Sequence, residues 1–313
     1  MSLVYLDQCV ISRFLEKPEN EQWRCLREII LKGNANCRIL CPTSLEHVAE
    51  IAPLRDNDAI VLDELMRKLS HGYALLTEPL LIAHQIISKL RRHKSSPGRF
   101  MQKGFLRPII TQGVLTELRE MKAKLDKHNA WMMQGVNELN MLIRDGLKPG
   151  KDMLQCLIKR QTDFYVKHLR AEVLSSLKSG HVIVRPEDYN CEITNWMSVV
   201  VYELINKHRM SLVEAGTLCD LLLTEKLNFI PTLKIKAELV AMQFFRREKI
   251  EPRDQYDITR AACALPYADI FITDGGKASA LKELKLDAEY ETEIFSLKKS
   301  DLKNLMARLG EIC

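Results

Sequence analysis

No apolar run in this chain approaches the ~20 residues that a helix needs to cross a bilayer, so no membrane association is expected. No basic flank precedes the apolar residues of the opening MSLVYLDQCVISRFLEK, so this segment is not expected to act as a signal peptide. Internal repeats are lacking, which argues against a solenoid or propeller. The nine cysteines are odd in number and contain no CxxC pair, which argues against a disulfide framework and against a zinc site with its usual ligand spacing. Scattered thiols of this kind fit a reducing cytoplasm.

What is present is a 313-residue chain, 46% hydrophobic and 28% charged, with ample material for a folded core. The net charge of +5 permits a polyanionic partner without demanding one. Its distribution says more. Residues 89–107, KLRRHKSSPGRFMQKGFLR, carry many lysines and arginines and no acid.

Residues 3–6 (LVYL) form a short apolar run that stops at Asp7, the pattern of a buried parallel strand with a polar residue at its carboxyl end. Helices are expected over Val10–Leu15 and Glu21–Leu31, the second stopped by Gly33-Asn34. A strand over Cys37–Cys41 and a helix opening at Pro42-Thr43-Ser44 complete a β-α-α-β-α rhythm. From Asp58 to Leu227 strand signals nearly vanish. Helical periodicity covers Ile60–Leu69, Leu80–Leu90, Leu115–Leu142, Met153–Leu177, Trp196–Lys207 and Leu212–Leu227, with one isolated strand candidate at His181–Val184. The β/α pattern returns with helices at Leu233–Phe245 and Asp254–Leu265, a strand at Ile270–Thr273, a helix at Lys277–Leu284 and a strand at Glu293–Leu297. The pattern predicts an α/β protein with a discontinuous sheet domain, residues 1–75 and 228–313, interrupted by a helical insertion over 76–227.

Open α/β sheets carry their sites at the carboxyl ends of strands. Asp7 ends the first strand and Asp274 ends IFIT. Asp257 is expected in the first turn of the helix that feeds that strand, with Asp254 as its cap. Glu50 follows the second strand by a turn or two of helix, and Glu46 shares its face. Asp269 lies five residues before Asp274, at the opposite end of the strand, and is excluded. Four converging carboxylates repel one another unless a cation compensates. Oxygen ligands of this kind suit Mg²⁺ or Mn²⁺, which assist phosphodiester hydrolysis. Thr273 and Ser12 are candidates for orienting water or phosphate there. Lys277 and Arg13 lie near the same crevice, and Arg91, Arg92, Lys94, Arg99 and Lys103 in the basic stretch could grip a nucleic-acid backbone, with Phe100 and Phe105 stacking on bases. His47 and His93 are further candidates for substrate contact.

The runs VYLDQCVIS and DQYDITRAACALPYADIFITD, with Ser44-x-x-His47-x-x-Glu50-Ile51 between them, resemble the acidic motifs of PIN-like domains. The resemblance covers roughly residues 1–75 and 228–313. It implies a compact parallel sheet of four to five strands flanked by helices and a metal-dependent endoribonuclease activity. Position by position, it makes Asp7, Glu50, Asp257 and Asp274 the ligands of Mg²⁺ or Mn²⁺, with Glu46 and Asp254 as weaker candidates. The implied partners are an RNA substrate, an inhibitor or antitoxin protein, and a second copy in a homo-oligomer, in a toxin or phage-defence role. Two readings compete: a non-catalytic RNA- or protein-binding protein of PIN-like fold, and a structure-specific DNA nuclease.

Overall fold

The computed structural model describes residues 1–16, 19–93, 96–103, 114–124, 126–127, 151–179, 196–246 and 252–313. The expected strand His181–Val184, with Lys94 and Phe105, lies outside these residues. The chain is α/β, mostly helical, with a four-stranded parallel sheet flanked by helices. It divides into two compact units. Unit 1 comprises 1–76, 101–123 and 264–313; unit 2 comprises 77–100 and 124–263.

Unit 1 holds the sheet, whose strands are β1 (Ser2–Leu6), β2 (Ile39–Leu40), β5 (Ile270–Thr273) and β6 (Glu293–Ser296). Their order is β2-β1-β5-β6, every pair parallel. Val4, Tyr5 and Leu6 face Ile270, Phe271 and Ile272 in register. All six are buried, as expected of central strands covered on both faces. Around the sheet lie α1 (Gln8–Glu16), α2 (Glu21–Ala35), α3 (Leu45–Ile51), α4 (Asp56–Ser70), α6 (residues 114–124), α12 (Gly275–Glu283), α13 (Leu286–Tyr290) and α14 (Lys299–Ile312). Phe14, Trp23, Leu26, Ile30, Leu62, Leu305 and Leu309 join Val4, Ile270 and Ile272 in one apolar core.

Three local expectations are corrected here. Gly33-Asn34 does not stop α2, which runs to Ala35. Asn34 is buried and its amide donates to Ile39 O (3.2 Å) and Leu69 O (2.6 Å), tying α2 to β2 and to the end of α4. A Cβ on Gly33 would collide with Cys313 Sγ and Ile39 Cδ1, so the residue answers close packing against β2 and α14, not a helix stop. The strand expected over Cys37–Cys41 shrinks to Ile39–Leu40, because the chain turns through Cys37 at φ 55°. Finally, the stretch thought nearly free of strands contains β3 (Tyr73–Leu75) and β4 (Met101–Lys103), an antiparallel pair in unit 1.

Unit 2 is helical among its described residues: α5 (Glu78–Leu90), α7 (Lys151–Ser179), α8 (Trp196–Tyr202), α9 (Leu212–Thr224), α10 (Pro231–Arg246) and α11 (Pro252–Ala264), whose last residue counts with unit 1. α8 widens into a π-helical turn over Glu203–Lys207. Ile82, Ile86, Leu169, Val200, Leu218 and Leu233 lie in its core. That core also carries polar groups. Lys236 Nζ donates to both carboxylate oxygens of Glu78 (2.6 and 2.8 Å), and Gln85 is hydrogen-bonded to Thr232 through both ends of its amide. No helix among the described residues is long and apolar enough to cross a membrane.

Candidate active site at the sheet edge

Asp7 follows directly on β1 and still belongs to the ladder, its N–H donating to Ile272 O at 3.0 Å. Its own carbonyl accepts from Val10 N at 2.9 Å, which starts α1. This double duty fixes the side chain at the carboxyl edge of the sheet, where it is only 3% exposed. Oδ1 accepts from Gln8 N at 2.7 Å, and Oδ2 accepts from the hydroxyl of Thr273 at 2.5 Å. Thr273 ends β5 and is itself buried, so the bond crosses between adjacent parallel strands.

Asp274 is the next residue and caps α12. Its Oδ1 accepts from Gly276 N (2.8 Å) and Lys277 N (3.1 Å), the usual arrangement of an Asp N-cap. Its Oδ2 meets Lys277 Nζ at 3.1 Å, and the same ammonium lies 3.5 Å from Asp7 Oδ2. Each carboxylate therefore gives Oδ1 to a helix N-terminus and turns Oδ2 toward one shared cation. Asp269 sits at the other end of β5 and accepts from Leu3 N at 2.8 Å, away from this edge as expected.

The remaining predicted acids stand differently. Glu50 and Glu46 are half-buried on α3, in unit 1. The start of α3 is pinned to β1 by His47: Ser44 N donates to His47 Nδ1 (3.1 Å), so the ring proton is on Nε2 and is donated to Leu6 O (2.8 Å). His47 is 1% exposed, so it is an anchor and not a substrate contact. Asp257 belongs to unit 2. Because α11 starts at Pro252, Asp257 is its sixth residue and lies in the second turn, not the first; Asp254 is inside the first turn, not at the cap. Asp257 is ion-paired with Arg260 one turn on. Among the described residues, no group of three or more His, Cys, Asp or Glu side chains is arranged to hold a metal ion.

The basic stretch is partly committed to its own unit. Arg91 holds Glu214 (2.7 Å) and donates to His208 O (2.8 Å), and Lys89 pairs with Glu225 (2.7 Å). Arg99 donates to Ser88 Oγ at 3.1 Å, Arg92 is exposed, and Lys103 Nζ lies 5.8 Å from the ring centre of Tyr73. Phe100 is buried, which removes it as a stacking surface for bases. Arg13 lies 3.8 Å from Glu16 on α1. The link that sequence reasoning missed is Lys277 as a bridge between the two aspartates; the Asp274-Gly-Gly-Lys277 spacing, three residues apart on a helix, was its available signal.

No family model, no curated protein and no solved structure matches this chain.

Proposed function

We propose that the carboxyl edge of β1 and β5 is a divalent-metal site for phosphodiester hydrolysis, in a PIN-like nuclease acting on RNA. The observation behind this reading is the aim of Asp7 Oδ2 and Asp274 Oδ2 at one cationic position, now taken by the Lys277 ammonium. The donors there are carboxylate oxygens. Mg²⁺ is commonly held by one or two carboxylates plus waters and substrate phosphate, so a donor set this small fits it. Mn²⁺ suits the same ligands.

In this reading Asp7 and Asp274 hold the metal, and Glu50, on α3 of the same unit, is a further ligand. Bound there, the cation would activate a water and offset charge on the scissile phosphate. Thr273 keeps Asp7 Oδ2 in one orientation through its hydroxyl. Lys277, released from the aspartates, would meet a non-bridging phosphate oxygen as a point charge. In-line attack by water leaves a 5′-phosphate and a 3′-hydroxyl and requires no protein nucleophile. A toxin or phage-defence role, with an antitoxin partner, rests on the family resemblance alone.

The same lysine favours a second reading. An ammonium shared by two carboxylates neutralises much of the site from within, as suits a PIN-like binding protein without catalysis. Nuclease assays with Mn²⁺ on RNA and DNA, comparing the wild type with Asp7→Asn and Asp274→Asn, separate the two. Cleavage of RNA lost in both variants supports the nuclease; activity that survives both refutes the site, and an inert wild type favours the binding protein.

A further inference from the structure

Helix α5 presents His84, Ser88 and Arg91 at positions i, i+4 and i+7, one face of the helix. The imidazole of His84 meets that of His208 edge to face, ring centres 4.8 Å apart. His208 directly follows the π-helical turn, and its N–H closes that turn on Glu203 O at 2.9 Å. Such wide turns recur at functional sites because they re-aim a side chain. Here the turn brings a second imidazole against the first. Arg99 completes the group from the 3₁₀ turn Pro97–Arg99, its guanidinium held by Ser88 Oγ at 3.1 Å.

The cluster is unbalanced in charge. Burial, then His208, then Arg99 pull the His84 midpoint from 6.5 down to about 4. Burial, then Arg91 and Arg99 lower that of His208. The nearby carboxylate, Glu214 on α9, is already engaged by Arg91 and by Ser211, which bring its midpoint down to about 2. Glu203, on the π turn, is raised mainly by its own burial and has Lys207 as its charged neighbour. Neither imidazole has a ring-nitrogen hydrogen bond among the described residues, although both are only half-buried.

We propose that His84, His208 and Arg99 form a binding site for a phosphate-type oxyanion in unit 2, separate from the metal reading of the sheet edge. Arg99 supplies fixed charge, Ser88 holds it in place, and the two imidazoles supply N–H donors that gain protons as the anion arrives. Binding is therefore coupled to proton uptake and strengthens as pH falls. The anion is either a free phosphate or phosphomonoester, or the backbone of a single-stranded nucleic acid.

The test is an NMR titration of the histidine side chains in the full chain. Inorganic sulfate serves as the first probe, because its charge stays constant over the range, with chloride at matched ionic strength as control. Sulfate should move the His84 and His208 signals, raise both midpoints, and bind several-fold more tightly at about pH 5.5 than at about pH 7.5. Arg99→Gln should weaken binding about tenfold or more, as loss of a charge-assisted contact does, and Ser88→Ala should weaken it less. Inorganic phosphate and a 5′-hydroxyl single-stranded oligonucleotide, each run on wild type and Arg99→Gln, then distinguish the two sources of the anion. Signals that ignore sulfate, that respond equally to chloride, or that respond unchanged in both variants overturn the site.

Discussion

Thr273 and Asp7, 266 residues apart in sequence, are joined by a 2.5 Å hydrogen bond between neighbouring parallel strands, with the threonine hydroxyl as donor. Both side chains are buried, so the carboxylate oxygen has no ready replacement from bulk water. Thr273→Val keeps the shape and deletes the donor. The expected loss is about 1.5–3 kcal/mol, the range for a hydrogen bond to a charged group, measured by denaturant unfolding. Thr273→Ser should recover most of it. If Val is as stable as Thr, the bond does not hold Asp7.

Lys277 bridges Asp7 Oδ2 and Asp274 Oδ2, and its removal leaves two carboxylates facing one position without that counter-charge. Lys277→Met should therefore be less stable than the wild type in a chelator. It should also gain more in Tm from millimolar Mn²⁺ or Mg²⁺ than the wild type does, since a ligand that binds only the folded state stabilises it by mass action. Calorimetry with and without metal gives both numbers. Equal metal responses in the two proteins would show that the lysine and the cation do not compete, while a site with no affinity for metal would leave both unresponsive.

How far such features can be read without coordinates depends on whether the signal is local. β1 and β5 are apolar runs ending in a polar residue, and that pattern alone puts Asp7 and Asp274 at strand ends and Asp269 at the far end. β3 and β4, three residues each, are too short to show a period of two, and Met101-Gln102-Lys103 sits inside a run of cations that reads as a loop. Gly33 misleads because its role is set by Ile39 and Cys313, residues the helix meets only after folding. The C-terminal helix α14 did carry a signal, Leu302, Leu305 and Leu309 at helical spacing, all buried. The Lys277–Asp274 half of the bridge was signalled by the three-residue spacing, but its contact with Asp7 was not legible, because that carboxylate comes from the other end of the chain. The same holds for the His84–His208 contact, formed by elements more than a hundred residues apart.

Within unit 2, the pair Lys236–Glu78 is buried, and Lys236 Nζ also lies 5.2 Å from the ring centre of Trp196. Burial opposes the ammonium's charge, but Glu78, Tyr165 and Cys263 together outweigh it, and its midpoint is raised above 10.5. A raised midpoint means stability that is complete below the unfolded value and lost as pH climbs through the folded one. Glu78→Gln removes the partner and leaves a buried charge, at a cost of roughly 3–5 kcal/mol. Without Glu78, burial lowers the Lys236 midpoint, so the variant's deficit should be largest near neutral pH and shrink as the ammonium loses its proton at alkaline pH. The double replacement Glu78→Leu with Lys236→Met should recover most of the loss, because the pair's desolvation goes with it. Urea midpoints from neutral through alkaline pH measure all three proteins; a double variant no better than Glu78→Gln would mean the pair is worth more than its burial costs.

His84 titrates in the opposite sense. Its folded midpoint, about 4, lies below the ordinary 6.5, so between these values the unfolded chain binds the more protons. Stability then rises with pH across that interval, is fully present above about 6.5, and is lost as pH falls toward 4. The charged groups facing the ring are His208 from the end of the π turn and Arg99 from the 3₁₀ turn, and neither can relieve an imidazolium. His84→Gln removes the titration. Its urea midpoint should change less between about pH 7.5 and about pH 5 than that of the wild type, even if Gln is somewhat less stable at the upper value. Parallel curves for the two proteins would mean that His84 takes up its proton as readily folded as unfolded, and the charge conflict with His208 and Arg99 would then be absent.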